Sequence, residues 1–217
     1  MNNRNAFPVQ VVLALLIING ILFLMEMTAS GRQLIELFAL WPLGSGSDFG
    51  FGSGLFDGAA PGFQVWQLVT YSFLHGGVFH LLVNMYALWL FGSRMEMVWG
   101  SKAFLIYYFV CVIGAALVQL LVASQGSGPA YPTIGASGGV FGLLLAFGMT
   151  FPNERLMLLF PPVAMSAKWF VIIYGAVELY FGVTGSMAGV AHFAHLGGML
   201  FGYLLIRYWR NHPPRYR

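Results

Sequence analysis

Four polar side chains stand in stretches that are otherwise apolar: His80, Asn84, Ser137 and His195. A serine hydroxyl is a weak nucleophile until a base takes its proton, and histidine is the usual base near neutral pH. Attack on a peptide carbonyl makes an oxyanion, which needs donors already in place. An Asn carboxamide and an imidazole N–H are such donors. His80 and Asn84 are four residues apart, so on a helix both face the same way. Ser137 opens an apolar stretch, and the N–H groups at a helix start lack intrahelical partners. It can therefore supply nucleophile and donor together. The chemistry these residues suit is acyl transfer from a peptide bond.

The elements that position them must lie in lipid. The chain has 217 residues, of which 59% are hydrophobic and 8% charged. A soluble domain carries roughly 25% charged residues. The expected fold is an all-α membrane protein, a compact six-transmembrane-helix bundle in a single domain spanning 1–217. Cys111 is the one cysteine, so neither an internal disulfide nor a cysteine metal cage is available. No metal and no cofactor are expected. The net charge of +3 belongs to loops and tails and does not make a nucleic-acid-binding face.

A spanning helix needs about 20 mostly apolar residues. The segments that qualify are Pro8–Glu26, Val78–Met97, Ala103–Ser124, Ser137–Phe151, Lys168–Thr184 and Ala188–Arg207. The fourth is short; it begins below the membrane surface or continues toward Leu159. The first has some marks of a signal peptide, with Arg4 as basic region and Thr28–Ser30 as cleavage site, but its apolar stretch is long for that. Arg4, the pair Arg94 and Lys102, the pair Arg155 and Lys168, and the tail Arg207, Arg210, Arg215 and Arg217 all fall on one side. Only Arg32 falls on the other. By the positive-inside rule both termini are cytoplasmic. Spans two, four and six then run from outside to inside, with His80, Asn84, Ser137 and His195 each in the first half. His195 sits about seven residues in, or ~10 Å at 1.5 Å per residue. The four can meet at one depth, open to the outer side.

The outer loop Met27–Gly77 is too long for a plain connection. Arg32–Trp41 and Phe63–Phe73 have helical apolar spacing, and Gly44–Gly62 between them is rich in Gly, Ser and Asp. Two short interfacial helices joined by a flexible turn are expected, and no appended soluble domain. Gly138/Gly142 and Gly198/Gly202 are small-residue pairs four apart, a spacing that lets membrane helices approach closely. If those faces pack together, Ser137 and His195 come into reach.

Gly135-Ala136-Ser137-Gly138 resembles the nucleophile motif of rhomboid intramembrane serine proteases, and Ala194-His195-Leu196-Gly197-Gly198 their histidine motif. His75, His80 and Asn84 resemble the second-span signature, and Glu96 with Gly100-Ser101 the loop before span three. Trp66-Gln67 is similar to a Trp-Arg segment of the first loop, with Gln67 in place of Arg. These motifs run in the family's order from about Trp66 to Gly202. The resemblance implies a Ser137–His195 dyad with no third acidic residue. It implies an oxyanion site from Asn84, His80 and the Ser137 backbone, and an aromatic residue, Phe141, packed under the histidine ring. The expected location is a prokaryotic plasma (inner) membrane. The expected partners are transmembrane protein substrates and the lipid bilayer.

Other polar residues have competing readings. His192 is three before His195 and shares its face, so it competes for the base role; the following glycines favour His195. His75 is expected to hydrogen-bond the outer loop. Glu178, inside span five, can orient a histidine, but structural pairing with a neighbouring donor is the favoured reading. Cys111 reads as an apolar filler. Among rival functions, a non-cutting rhomboid-like binder would lack the serine or the histidine. A bis-histidine haem protein using His80 and His195 would leave Ser137 and Asn84 without purpose. No inverted repeat or broken-helix pair suggests a transporter. A gate is expected at the Gly-rich connection Gly182–Gly189.

Overall fold

The computed structural model describes residues 9–44, 61–124, 131–157, 163–185 and 190–214. The expectations for Arg4, Pro8, Arg215, Arg217, most of the Gly44–Gly62 turn, and positions 186–189 of the Gly182–Gly189 gate lie outside these residues.

Helices dominate. Helix α1 is Gln10–Glu26, α2 is Gly31–Phe38, and α3 is Gln67–Phe73, its last turn 3-10. Helix α4 is Val78–Trp99, interrupted by a π turn at Leu88–Gly92. Helices α5 (Ser101–Ala123), α6 (Ser137–Thr150), α7 (Ala167–Thr184) and α8 (His192–Asn211) follow. By length and composition, α5 and α7 are each able to cross a membrane. The pair α3 and α4, bent by 102°, would make a third if it formed one span. Large apolar side chains face outward all round, among them Leu24, Phe79, Leu121 and Val183, each at least 66% exposed. A surface this apolar is suited to lipid.

The main departures are at the ends of α6 and α8. Helix α6 has 14 residues. At 1.5 Å per residue it is about 21 Å long, short of the ~30 Å hydrocarbon core. It stops at Thr150 and does not continue toward Leu159, because Pro152, one residue past the Phe151 cap, has no N–H to extend the ladder. An unexpected antiparallel pair comes next, β1 (Arg155–Met157) with β2 (Ala164–Ser166), Leu156 opposite Met165. It satisfies backbone groups that a loose connection would leave open. The fold remains mostly helical, consistent with the expected all-α class, with this short ribbon added. Helix α8 starts at His192, not Ala188, and runs to Asn211, beyond Arg207.

Helix α5 forms the centre, with Phe104, Tyr107, Tyr108, Cys111, Val112 and Ala115 fully buried. Helices α6 and α8 pack on it and on each other. Their contact depends on missing side chains. A Cβ at Gly198 would strike the carbonyl of Gly138, and one at Gly142 would lie 3.2 Å from the Gly198 oxygen. The two glycine faces therefore meet as the spacing suggested. Tyr107 donates its hydroxyl to the Gly142 carbonyl at 2.8 Å, and Tyr71 donates to the Val112 carbonyl at 2.8 Å.

Two polar residues tie the periphery to this core. The buried Glu96 carboxylate accepts the N–H groups of Val11 and Val12, both at 2.9 Å, and the Ser101 hydroxyl at 2.6 Å. It thus caps the start of α1, where N–H groups would otherwise be orphaned. Gln67, in the place of the expected arginine, is fully buried, and its Oε1 accepts the N–H groups of Trp41 and Gln64 at 3.2 Å each. Trp66 and Thr70 donate to the carbonyls of Leu37 and Phe38. Leu40 and Thr133 exchange backbone hydrogen bonds of 3.0 and 2.9 Å, so the segment after α2 braces the stretch leading to Ser137.

Candidate active site

Ser137 is the first residue of α6, His80 the third of α4 and His195 the fourth of α8. The starts of these three helices therefore converge, as parallel helices require. His195 is nearer its helix start than expected because α8 begins four residues later. The Ser137 hydroxyl lies 2.8 Å from His195 Nε2. The Phe141 ring stacks on the His195 imidazole at 4.2 Å and 5°. One turn separates Ser137 from Phe141, so the helix that carries the hydroxyl also carries the ring's platform.

The approach to Ser137 needs a glycine. Gly135 has φ +126° and donates its N–H to the Tyr71 carbonyl at 2.9 Å. A Cβ there would sit 2.8 Å from His80 Cε1, inside the ring's contact distance. That same point is 2.9 Å from His80 Nε2 and 3.7 Å from Ser137 Oγ. The His80 ring therefore lies directly against the Gly135 backbone, on the side where the Ser137 hydroxyl also stands. His80 Nδ1 accepts the Gly76 N–H at 3.3 Å, which leaves the neutral ring's proton on Nε2. Asn84 is buried and donates one amide hydrogen to the His80 carbonyl at 2.9 Å. Its second amide hydrogen remains for another acceptor. First-turn N–H groups of α6, including that of Ser137, have no intrahelical acceptor.

Two expectations change. Among the described residues neither ring nitrogen of His75 makes a hydrogen bond of ordinary geometry, so the expected ring bond to the outer loop is not found there. Its backbone N–H instead donates to the Glu26 carboxylate, at 3.1 and 3.2 Å to the two oxygens. Its ring meets His80 edge-on at 5.1 Å. Burial pushes the His75 pKa down to about 4, with the neighbouring His80 adding to the drop and the Phe73 backbone opposing it.

The absence of a third acidic residue also does not hold. Glu178 Oε2 is 2.9 Å from His195 Nδ1 and 2.7 Å from His192 Nδ1. Glu178 does pair with neighbouring donors, and one of them is the histidine that faces Ser137. The signal in the sequence was a carboxylate in an apolar helix, which must find donors or stay uncharged. His192 shares the face of His195, but its ring bonds to Glu178 and not to Ser137. Among the described residues, these three are also a group that could hold a metal ion, with donor atoms within 4.8 Å of one another. A shared proton between each nitrogen and the oxygen already accounts for those distances. A haem between His80 and His195 does not fit, since both His195 nitrogens are engaged and Phe141 covers one ring face.

An apolar-faced helical bundle, with its polar residues gathered where helix starts converge, defines an integral membrane protein of mostly helical fold. Comparison places it further. A Rhomboid domain model matches residues 62–211. The zebrafish Presenilin-associated rhomboid-like protein A, mitochondrial, is 33% identical over 153 residues, covering 68% of this chain and 39% of its own. RHOMBOID-like proteins 1 and 4 of Arabidopsis thaliana are 34% and 35% identical over 142 and 144 residues, 65% and 66% of this chain and 34% of each relative. The chain belongs to the rhomboid family. It spans between a third and two-fifths of the length of these relatives.

Proposed function

We propose that this chain is an intramembrane serine endopeptidase that cuts membrane proteins in or near their transmembrane segments. The observation that carries the reading is the 2.8 Å contact between Ser137 Oγ and His195 Nε2 at convergent helix starts. The Ser137 oxygen attacks the scissile carbonyl carbon while its proton passes to His195 Nε2. The oxyanion forms beside His80 Nε2–H, the free Asn84 amide hydrogen and the Ser137 N–H. Collapse breaks the C–N bond, and His195 returns the proton to the leaving amine. Water, deprotonated by His195, then attacks the acyl-enzyme; its collapse releases the carboxylic acid and returns the proton to Ser137.

In this reading residues 1–217 form one membrane domain whose helices α1, α4, α5, α6, α7 and α8 are the six spans. The basic residues favour cytoplasmic termini and a site open to the outer side. The plasma (inner) membrane of a prokaryote is the proposed location; the relatives named above are animal and plant proteins and do not bear on it. Retention of both Ser137 and His195 favours cutting over a client-binding role without catalysis.

Substrates are selected by how readily they unwind. A peptide bond inside a helix is hydrogen-bonded and shielded, and unwinding in lipid exposes backbone groups at high cost. Gly and Pro lower that cost, by about 1 and 3 kcal/mol relative to Ala. The experiment uses proteoliposomes and a single-span substrate with Gly-Ala near its outer end, compared with the same span made leucine there. Wild type should cut the first far faster, Ser137→Ala and His195→Ala neither, and His192→Ala, which keeps the Ser137–His195 contact, should be less impaired than either. Turnover by Ser137→Ala above a few per cent of wild type would remove the serine, and equal cleavage of both substrates would remove the unwinding argument.

A further inference from the structure

We propose that Glu178 is a positioning residue that holds the proton of His195 on Nδ1, with His192 bracing the same carboxylate oxygen. The proposal rests on the Ser137–His195 reading above and adds an acid from α7 to it. A neutral imidazole carries one N–H. For Nε2 to accept the serine proton, the ring's own proton must sit on Nδ1. Glu178 Oε2 is 2.9 Å from that atom, and a carboxylate accepts but does not donate. The other tautomer would set the Nδ1 lone pair against a carboxylate and the ring's one N–H against the serine oxygen, where no base would remain to take its proton.

The surroundings make this contact decisive. His195 is 9% exposed and Glu178 9% exposed, so water competes little for either. The parallel Phe141 ring fixes the plane of the imidazole but leaves it free to turn within that plane. A hydrogen bond at Nδ1 sets the in-plane angle, and with it the direction of Nε2 toward Ser137. When the serine proton arrives, the ring becomes an imidazolium with the carboxylate directly behind it. Structural pairing alone would need only His192, whose Nδ1 is 2.7 Å from the same oxygen. The second bond, to His195, is what a purely structural role leaves without reason. His192 thus holds the carboxylate in place while its own Nε2, buried, has no partner among the described residues.

The test uses the full chain in proteoliposomes, with Glu178→Gln, Glu178→Asp and Ser137→Ala beside wild type. Readouts are kcat and KM on a single-span substrate, fluorophosphonate labelling, and 15N-histidine NMR, which reports which ring nitrogen carries the proton. Glu178→Gln should lower kcat by about 10²–10⁴, the upper figure being the loss when the acid behind a triad histidine becomes an amide. KM should stay within about threefold, since the carboxylate never touches substrate. Glu178→Asp should recover at least about tenfold of kcat over the amide variant, because the acceptor chemistry returns. The NMR signature should move from Nδ1–H toward Nε2–H in Glu178→Gln.

An amide variant with wild-type kcat and tautomer overturns the proposal. Equal losses in Glu178→Gln and Glu178→Asp, matched by lower thermal stability and an unchanged tautomer, also overturn it and leave a structural role. Stoichiometric metal in the purified protein, with activity altered by chelation, replaces the shared protons by an ion and overturns it as well. Wild-type protein that shows no Ser137-dependent labelling would sink the protease reading instead, and the NMR tautomer would still decide the place of the Glu178 proton partner.

Discussion

Gly198→Ala tests whether helix contact sets the distance between nucleophile and base. Gly198 lies three residues after His195, one turn along α8, against Gly138, which directly follows Ser137. The added methyl would be 2.8 Å from the Gly138 carbonyl carbon and closer still to its oxygen, where ordinary contact begins at 3.4 Å. Backbone stands on both sides, so no side chain can swing away. Helix α8 must move from α6 by roughly 1 Å, a misplacement that typically costs about 10² in rate. The 2.8 Å contact from Ser137 to His195 would open to nearly 4 Å, past hydrogen-bond range. Overpacking of this kind also costs about 1–3 kcal/mol of stability. The assay is kcat on the single-span substrate in proteoliposomes, with thermal unfolding run in parallel. Gly175→Ala is the control, because its methyl would meet only the flexible tip of Met199 at 3.5 Å. A Gly198→Ala enzyme with kcat within about threefold of wild type would refute the reasoning that this glycine contact holds the pair in register.

Asn84→Ala should lower kcat by ~10²–10³, the usual loss for one oxyanion donor, while labelling of Ser137 persists; unchanged kcat would take Asn84 out of the site. His75 makes stability pH-dependent. Its folded pKa of about 4 lies below the usual 6.5, so the unfolded chain takes the proton first as pH falls. Stability should therefore be fully present above pH 6.5 and decline by about 3 kcal/mol toward pH 4, a decline that His75→Phe should largely remove in thermal unfolding. An unaltered pH dependence in that variant would mean that His75 is not kept neutral by the fold. A reporter fused after Arg217 should read cytoplasmic and one inserted near Ser53 external; the reverse pattern would break the charge argument for orientation.

The apolar runs and the polar residues inside them were legible from the linear chain, because helix length and depth follow from rise per residue. That is why Ser137, His195, His80 and Asn84 could be placed at one level before any packing was known, and why α4, α5, α6 and α7 begin within two residues of their expected starts. The glycine pairs also announced a close contact, since a helix surface without side chains has one common use in lipid. The partners of Glu178 were different. Sequence placed a carboxylate in an apolar helix and two histidines three apart on another. Which nitrogen it would meet depends on the rotation of α7 about its own axis relative to α8, and no periodicity within either helix records that angle. The same holds for His75, whose neighbours come from α1 and α4, and for the late start of α8, whose connection carries no strong cap. Local spacing determines what a helix is and which face it offers. The azimuth at which two distant helices meet is settled only when all their side chains pack at once, and that angle turned the expected pair of Ser137 and His195 into a hydrogen-bonded chain that reaches Glu178.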